Sequence, residues 1–329
     1  MFTFHPLSEP TRTRLSDGGV DPDAVAALVR MAISEDLAGG IDVTSTATVP
    51  LAQRSIATFG ARRPGTIAGL AVAAAVVDAV CGADASDFDY LAEDGDSVAE
   101  HAEIARVEAP TRLLLTAERS ALNLLCHLSG VATLTSRWAD ALQGTGTKVR
   151  DTRKTTPGLR FLEKYAVRCG GGVNHRMALS DAALVKDNHV LAAGGVAEAF
   201  AAVRALAATI PVEIEVDSLE GQLEAMEAGA DLILLDNFTV EQMRAGVTAR
   251  DEFQQSTGRR VVLEASGGLS IEVARAVGET GVDYVAVGGL THSAPVLDIG
   301  LDLRSVVESS RRVATEGRSP DERGATRGD

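Results

Sequence analysis

The sequence is poor in positive charge and in aromatic residues. Its 31 Lys and Arg are outnumbered by 46 Asp and Glu, which gives a formal net charge of −15. General nucleic-acid binding needs a basic surface, so this balance argues against a nucleic-acid partner. Aromatic residues make up only 4% of the chain. The core must therefore be built from aliphatic side chains, a composition that suits parallel strands covered by helices.

Long apolar runs are also missing. The longest one, residues 67–77, is interrupted by Gly69 and ends at Asp78, well short of the ~20 residues that a membrane helix requires. Residues 1–10 have no basic flank followed by an apolar core, so no secretory signal is visible. The three cysteines follow no CxxC pattern and are interpreted as thiols in a reducing compartment. We expect a cytoplasmic protein with no membrane partner.

The first third of the chain predicts a small mixed α/β domain. Residues 21–36 have helical spacing of apolar side chains after a first-turn proline, and 68–80 predict a second helix. Strand-like runs lie near 54–59 and 103–107. We expect this N-terminal domain to span residues 1–125 and to be joined by C-terminal helices around 295–315.

After a long helical pattern at residues 111–141, the rhythm of the sequence changes. Short apolar runs then alternate with Ala- and Leu-rich helical segments, and strand starts lie roughly 20–35 residues apart, the length of a βα unit. The predicted strands are 148–151, 183–186, 212–216, 232–235, 261–263 and 284–287.

Polar or glycine residues follow every one of these runs, which favours an α/β barrel over an open sheet. The predicted fold class is α/β, with an atypical, incomplete α/β barrel over residues 126–294 beside the smaller N-terminal domain. Residues 316–329 are predicted to be a disordered tail, because they are charged and rich in small polar residues.

The segment 150–189 is a basic island in this acidic chain. It holds eight Lys/Arg and four Asp/Glu, a local charge of +4, which concentrates anions at one place. Arg153, His175 and Arg176 suit planar carboxylates, since guanidinium binds them in a two-point fork. Lys154 and Lys186 are compact charges that suit phosphate oxygens. The alternative is a solvated, salt-bridged loop.

Two acids and two glycine segments complete the candidate site. Glu215 and Asp236 follow neighbouring strands and could hold ribose hydroxyls or Mg²⁺, or stabilise a cationic sugar transition state. A structural ion pair with Lys154 or Lys186 is the alternative. Late glycine-rich strand ends are a recurrent phosphate site in barrels; the segments here are Ser266-Gly267-Gly268 and Val287-Gly288-Gly289.

Several runs together carry a family resemblance. They are DTRKTTPGLR at 151–160, GGGVNHR at 170–176, KDNH at 186–189, EIEVD at 213–217 and EASGG at 264–268. In this order the chain resembles the quinolinate phosphoribosyltransferase family, also called carboxylating nicotinate-nucleotide pyrophosphorylase, over residues 20–305. The resemblance implies transfer of phosphoribosyl from phosphoribosyl pyrophosphate to quinolinate with Mg²⁺. Loss of CO₂ then gives nicotinate mononucleotide for NAD synthesis.

The resemblance also implies roles for individual residues. Lys154, Glu215, Asp236 and Lys186 would be catalytic, with Lys154 bridging the quinolinate and pyrophosphate sites and the two acids holding ribose and Mg²⁺. Five residues would bind quinolinate or assist its decarboxylation, namely Arg119, Arg153, His175, Arg176 and Lys186. Thr152 is a further predicted substrate-binding residue. The family is a homodimer in which the Arg119 region of one protomer completes the site of the other.

Three other functions stay open at this point. A paralogous pyrophosphorylase of the same fold could act on a different acid. A barrel lyase could use Lys154 or Lys186 as a Schiff-base nucleophile. A non-catalytic module could simply bind a phosphosugar.

Overall fold

The computed structural model describes residues 2–305 of the chain. Its described residues divide into two compact units, one formed by residues 2–126 with 297–305 and the other by His127–Val296. The helices are α1 (Glu9–Asp17), α2 (Pro22–Leu37), α3 (Val43–Thr48), α4 (Leu70–Cys81), α5 (Thr111–Ala141), α6 (Arg160–Cys169), α7 (Asp187–Ala193), α8 (Val196–Leu206), α9 (Leu219–Ala228), α10 (Val240–Thr257), α11 (Ile271–Gly278) and α12 (Gly289–His292). The strands are β1 (Arg54–Ala61), β2 (Gly65–Thr66), β3 (Asp87–Tyr90), β4 (Ser97–Val98), β5 (Glu103–Pro110), β6 (Lys148–Arg150), β7 (Ala183–Val185), β8 (Val212–Val216), β9 (Leu232–Asp236), β10 (Val262–Ser266), β11 (Tyr284–Ala286) and β12 (Ile299–Ser305).

The first unit is built on a four-stranded antiparallel sheet with the order β12-β1-β5-β3. Every residue of α4 is buried. Contacts join α4 to α1, to α2 and to β5. Asp21 caps α2 by accepting a hydrogen bond from the Asp23 amide, and Pro22 occupies the first turn, the combination that starts a helix where the sequence predicted one. The mixed α/β character expected of this region is confirmed.

One element of the first unit corrects the sequence prediction. Helices were expected around residues 295–315, but residues 299–305 form the strand β12, which pairs antiparallel with β1. The reason is that side chains along a strand alternate between its two faces: Ile299 and Leu301 are buried, while Asp302 and Arg304 are exposed. The rest of that predicted segment and the predicted tail at 316–329 lie outside the described residues.

The second unit contains a six-stranded parallel sheet with the order β6-β11-β10-β9-β8-β7. Strands that follow one another in the chain pair with each other, and the last strand, β11, pairs with the first, β6. Only the pairing between β6 and β7 is missing from a complete ring within residues 2–305. A doubly wound open sheet would instead place its first strand inside the sheet. The order is that of an incomplete α/β barrel.

The predicted strands of this unit coincide closely with the observed ones, and their carboxyl ends lie at one edge because all six run parallel. Within residues 2–305, no single helix is long and apolar enough to cross a membrane. The bent pair α7 and α8 meets that criterion only when taken together, and by length and composition alone.

Candidate active site

A cavity of about 490 Å³ lies in the second unit at the carboxyl ends of its strands. The sequence-predicted site residues that line it are Thr152, Arg153, Lys154, His175, Arg176, Lys186, Glu215, Asp236 and Ser266. The residues that line it without having been predicted are Leu184, Leu234, Glu264 and Ala286. The chain therefore brings most of the predicted charges into one place.

The cations of the cavity come from three loops of the unit. Arg153 and Lys154 follow β6, Arg176 precedes β7 and Lys186 follows it. The Arg176 guanidinium donates to the Ala182 carbonyl at 2.9 Å; burial, together with the neighbouring Arg153, lowers the pKa of this side chain. Nε of Arg153 is buried and has no hydrogen-bond acceptor among residues 2–305. These are donors arranged for an anion.

Lys154 is held in place through its backbone. Its amide donates to the Thr152 hydroxyl at 3.0 Å, and its carbonyl accepts from the Thr291 hydroxyl at 2.7 Å. The backbone of Gly288 approaches its side chain so closely that a Cβ there would lie 2.9 Å from Lys154 Cδ. A larger residue at 288 would push the lysine aside, so the glycine defines its position.

The glycine segments predicted to bind phosphate contribute less lining than expected. Of the residues 266–268 and 287–289, only Ser266 lines the cavity. Gly267 has a φ of +101°, and a Cβ there would lie 2.2 Å from Oδ1 of Asn237. Asn237 itself has a φ of +58° and donates its amide to the Ser266 carbonyl at 2.9 Å. Here glycine is required by a close contact between two adjacent strand ends.

Beneath the cations lies a buried cluster of His175, Glu213, Glu264 and Arg150, which we call the floor. Nε2 of His175 lies 2.6 Å from Glu213 and 3.7 Å from Glu264, and Arg150 donates to Glu264 at 2.6 Å. Glu213 and Glu264 belong to β8 and β10, which are separated by β9; on a flat sheet they would be about 10 Å apart. Their approach to one imidazole shows that the sheet curves around this point.

Burial dominates the protonation of the floor. It raises the pKa of both Glu213 and Glu264 to about 7, and for Glu264 the charge of Glu213 adds to the effect. It lowers the pKa of His175 to about 4, against the attraction of Glu264. The Arg176 amide donates to Nδ1 of His175 at 2.7 Å, which places the imidazole proton on Nε2, facing the carboxyls.

Three side chains of the floor, His175, Glu213 and Glu264, have the donor set of a metal site, since their ligand atoms lie within 4.8 Å of one another. Arg150 already supplies a positive charge to Glu264, however, and burial raises the pKa of both carboxyls, which favours protons over a metal ion at this place. We therefore interpret the floor as a proton-holding cluster.

The other acids of the cavity, Glu215 and Asp236, lie nearer its opening, and we call this pair the rim. Glu215 forms an ion pair with Lys186, and Asp236 accepts from the side chain of Asn237 at 2.7 Å. Their side chains are only partly exposed. Two carboxylates in one cavity offer the hard oxygen ligands that Mg²⁺ prefers, so the residues present fit that ion.

Sequence reasoning missed the floor acids. Glu264 and Glu213 were noticed only as parts of family motifs, and no role was given to them. A signal was present: Glu213 and Glu215 are two residues apart on a strand, so they face the same side of the sheet. Arg119, the remaining predicted residue, is exposed on α5 within the first unit, whereas the cavity is lined by residues of the second.

Taken together, the fold and the cavity define an α/β-barrel-type enzyme site for a small polyanion, in which cations surround two acids at the strand ends. The family model for the N-terminal domain of quinolinate phosphoribosyl transferase matches residues 42–129, and the model for its C-terminal domain matches residues 131–302. The chain belongs to the quinolinate phosphoribosyltransferase family.

Curated relatives carry the same assignment. The chain is 54% identical over 282 residues to the nicotinate-nucleotide pyrophosphorylase [carboxylating] of Mycobacterium leprae, covering 85% of this chain and 98% of that protein. It is 37% identical over 300 residues to a mitochondrial quinolinate phosphoribosyltransferase [decarboxylating] of Nicotiana glauca, covering 87% and 84%.

Solved structures agree in fold. The nicotinate-nucleotide pyrophosphorylase of Francisella tularensis matches with a TM-score of 0.80 at 35% identity, over 86% of this chain and 96% of that one. The enzyme of the same name from Ehrlichia chaffeensis matches with a TM-score of 0.78 at 32% identity, over 84% and 98%.

Proposed function

We propose that this protein transfers the phosphoribosyl group of phosphoribosyl pyrophosphate to quinolinate and releases pyrophosphate and CO₂. The ring nitrogen of quinolinate forms a bond to C1 of the ribose as the bond from C1 to pyrophosphate breaks. The adduct then loses its 2-carboxylate as CO₂, and C2 takes up a proton to give nicotinate mononucleotide. One observation carries the proposal: carboxylate-binding and phosphate-binding cations share one cavity with two acids, in a chain of this family.

Quinolinate binding is assigned to Arg153 and Arg176, with Thr152 and Lys186 beside them. His175 lines the cavity, but its ring nitrogens face Glu213 and the Arg176 amide, so its part is to hold the Arg176 loop in place. The two carboxylates of the substrate match guanidinium donors, and the buried Nε of Arg153 has a free proton to donate to one of them. In a homodimer, Arg119 of the partner subunit would add a further guanidinium. The exposure of Arg119 on α5 is compatible with that contribution.

The sugar pyrophosphate is assigned to the lysines and the rim. Lys154 bridges the two substrates. Of the segments 266–268 and 287–289 that were predicted to bind the 5′-phosphate, only Ser266 lines the cavity, so the phosphate is assigned to the strand end at Ser266. Glu215 and Asp236 hold the ribose hydroxyls and would hold Mg²⁺. Bound Mg²⁺ would neutralise negative charge on the pyrophosphate leaving group.

The chemistry needs little beyond orientation and charge. As the bond to pyrophosphate lengthens, the ribose becomes cationic, and the rim carboxylates stabilise that charge electrostatically. Once the ring nitrogen has become positive, it stabilises the carbanion left by CO₂. The cations of the cavity keep the carboxylates in the orientation from which this loss occurs.

The Schiff-base alternative is less well supported. A lysine nucleophile must be uncharged, but Lys186 lies against Glu215 as an ion pair, and Lys154 is exposed. The cytoplasmic location and the homodimer remain part of this proposal, and cell fractionation and the mass in solution test them.

The decisive experiment supplies pure protein with quinolinate, phosphoribosyl pyrophosphate and Mg²⁺. We expect nicotinate mononucleotide, pyrophosphate and CO₂ in equal amounts, measured by chromatography and by release of labelled CO₂ from the 2-carboxylate. Turnover of a different pyridine acid with none of quinolinate would reject the proposal in favour of a paralogous pyrophosphorylase. A borohydride-trapped adduct would favour the lyase, and ligand binding without turnover would favour a binding module.

A further inference from the structure

A fully buried ion pair lies directly under the cations of the cavity. The side chains of Asp151 and Lys164 both have 0% exposure, and the ammonium contacts Oδ1 of the carboxylate. Asp151 follows β6 and immediately precedes the segment that carries Arg153, whereas Lys164 belongs to α6. Neither residue lines the cavity.

This pair holds the backbone of His175 at two points, its amide and its carbonyl. Oδ1 of Asp151 accepts the His175 amide at 2.8 Å, and Nζ of Lys164 donates to the His175 carbonyl at 2.9 Å. The second oxygen of Asp151 accepts from the Asn174 side chain at 2.5 Å, which also donates to the Lys164 carbonyl at 2.8 Å. Backbone hydrogen bonds from Val173 to Val149 and from Asp151 to Val173 already join the two loops where they begin. The ion pair extends this link to His175, next to the side chains that line the cavity.

The joined loops carry the two halves of the carboxylate site. Residues 151–154 present Arg153, and residues 174–176 present His175 and Arg176. A buried ion pair is a poor source of stability, because removing two charges from water costs about as much as their attraction returns. Its value lies in geometry: the hydrogen bonds it makes are directional, and no apolar pair of similar size could fix both the amide and the carbonyl of His175.

We propose that the Lys164–Asp151 pair is a positioning element that sets the separation of these two loops, and so selects a ligand with two adjacent carboxylates. The inference deepens the proposed function and rests on it. Removing Lys164 would leave Asp151 bound to His175 on one side only, and the two loops would drift relative to each other. A ligand that contacts both loops loses more affinity than one that contacts either alone.

The probe is benzene-1,2-dicarboxylate, which keeps both carboxylates and lacks the nucleophilic nitrogen. Calorimetry on full-length Lys164→Met should show its Kd raised at least tenfold relative to the unsubstituted protein. Steady-state assays should show the KM for quinolinate raised to a similar degree, while the KM for phosphoribosyl pyrophosphate changes less than threefold. An unchanged Kd, or equal increases in both KM values, would overturn the inference.

Arg250→Met is the matched control. Arg250 is also buried and ion-paired, with Asp283 at 3.1 Å, but that pair lies at the amino end of β11, away from the cavity. It should lower the melting temperature and leave the Kd for the dicarboxylate unchanged. If Arg250→Met weakens the ligand as much as Lys164→Met does, the effect is general loss of stability and the inference fails.

A milder variant guards against failure to fold. Asn174→Ala leaves the ion pair in place and removes the outer tie to Asp151, together with the side chain's contacts with the Lys164 carbonyl and Arg168. It should raise the Kd for the dicarboxylate about threefold or more; no change would count against the inference. Because binding is read without turnover, the two hypotheses separate. If the unsubstituted protein binds the dicarboxylate but does not turn over quinolinate, the proposed function alone is refuted. If Lys164→Met and Asn174→Ala bind the dicarboxylate as tightly as the unsubstituted protein does, the positioning role alone is refuted.

Discussion

The floor and the rim of the cavity both contain carboxyl side chains, but these have different roles. On β8, Glu213 at the floor is 3% exposed in its side chain, whereas Glu215 at the rim, two residues further along the same face, is 15% exposed. The first carboxyl lies against a buried imidazole and has its pKa raised to about 7 by burial. The second pairs with the ammonium of a half-exposed lysine.

The difference shows that depth along a strand decides what a carboxyl can do. Deep in the barrel, desolvation favours the neutral acid, so the group stores a proton and fixes its neighbours. Near the opening, the carboxyl is partly exposed and contacts a cation, so it can bind a positive charge or a metal ion. This difference between the floor and the rim can be tested by substitution.

The largest effect on stability is expected at the floor. Arg150→Met removes the cation of the Glu264 pair and leaves a buried carboxyl without compensation, so the free energy of unfolding should fall by about 3–5 kcal/mol. Lys186→Met removes the cation of the half-exposed rim pair and should cost about 0–1 kcal/mol. Urea titration of both variants at pH 7.5 measures the difference; equal losses would contradict it.

The largest effect on turnover is expected at the rim. Glu215→Ala should lower kcat/KM for phosphoribosyl pyrophosphate by about 10²–10³, the usual effect of losing one electrostatic contact to a transition state. The KM for quinolinate should change less than threefold. Asp217→Ala, an exposed acid just beyond β8, is the control and should leave both constants unchanged. A matching rise in the KM for quinolinate would mean that Glu215 contributes to quinolinate binding as well, which would contradict its assignment to the sugar pyrophosphate.

The protonation of the floor predicts how stability depends on pH. The two floor carboxyls have pKa values raised from 4.5 to about 7, so the folded chain holds protons that the unfolded chain releases, and stability falls as pH rises through that range. His175, lowered from 6.5 to about 4, acts oppositely between pH 4 and 6.5. The effect of the two carboxyls outweighs that of the one imidazole, so the net stability should fall as pH rises from 4.5 to 7.

Glu264→Gln should therefore flatten the fall of the melting temperature between pH 4.5 and 7 relative to the unsubstituted protein, because one carboxyl then opposes one imidazole. Thermal melts across this range, with the exposed Glu224→Gln as a control, provide the measurement. Parallel curves for Glu264→Gln and the unsubstituted protein would mean that the floor carboxyls are charged throughout.

The smallest effect concerns the position of Lys154. In Gly288→Ala the new methyl group would lie 2.9 Å from Lys154 Cδ, so the lysine must shift and kcat should fall roughly tenfold. Gly60→Ala, whose Cβ would approach nothing closer than 4.0 Å, should leave kcat unaltered. A normal kcat for Gly288→Ala would show that Lys154 tolerates displacement.

Much of the second unit could be predicted from its sequence. Its strands are covered on both faces, so they are short apolar runs between polar turns, and α5 begins and ends where helical spacing begins and ends. The cavity charges could be predicted as a group, because the residues that follow parallel strands must share one edge. Lys186 and Asp236, for example, are far apart in sequence and line one cavity.

The rest depended on contacts that a linear pattern does not show. Glu264 lies within its strand, and only the curvature of the sheet brings it towards Glu213 across β9. The tie from Lys164 to His175 runs through a buried ion pair between a helix and a loop, whereas a lysine in an amphipathic helix is ordinarily a surface residue. The strand β12 was mistaken for helix because the partner that makes it a strand, β1, lies near the other end of the chain.

That last pairing constrains how the protein is made. Synthesis from residue 61 to residue 299 takes roughly 10–50 s at ~5–20 residues per second. During that time, β1 has emerged from the ribosome with its eventual neighbour still untranslated. One row of its amide and carbonyl groups is exposed, as at any open sheet edge, and is prone to pair with foreign strands. A nascent chain that stalls between residues 287 and 298 has all the residues that line the cavity, yet its first unit keeps an unpaired sheet edge.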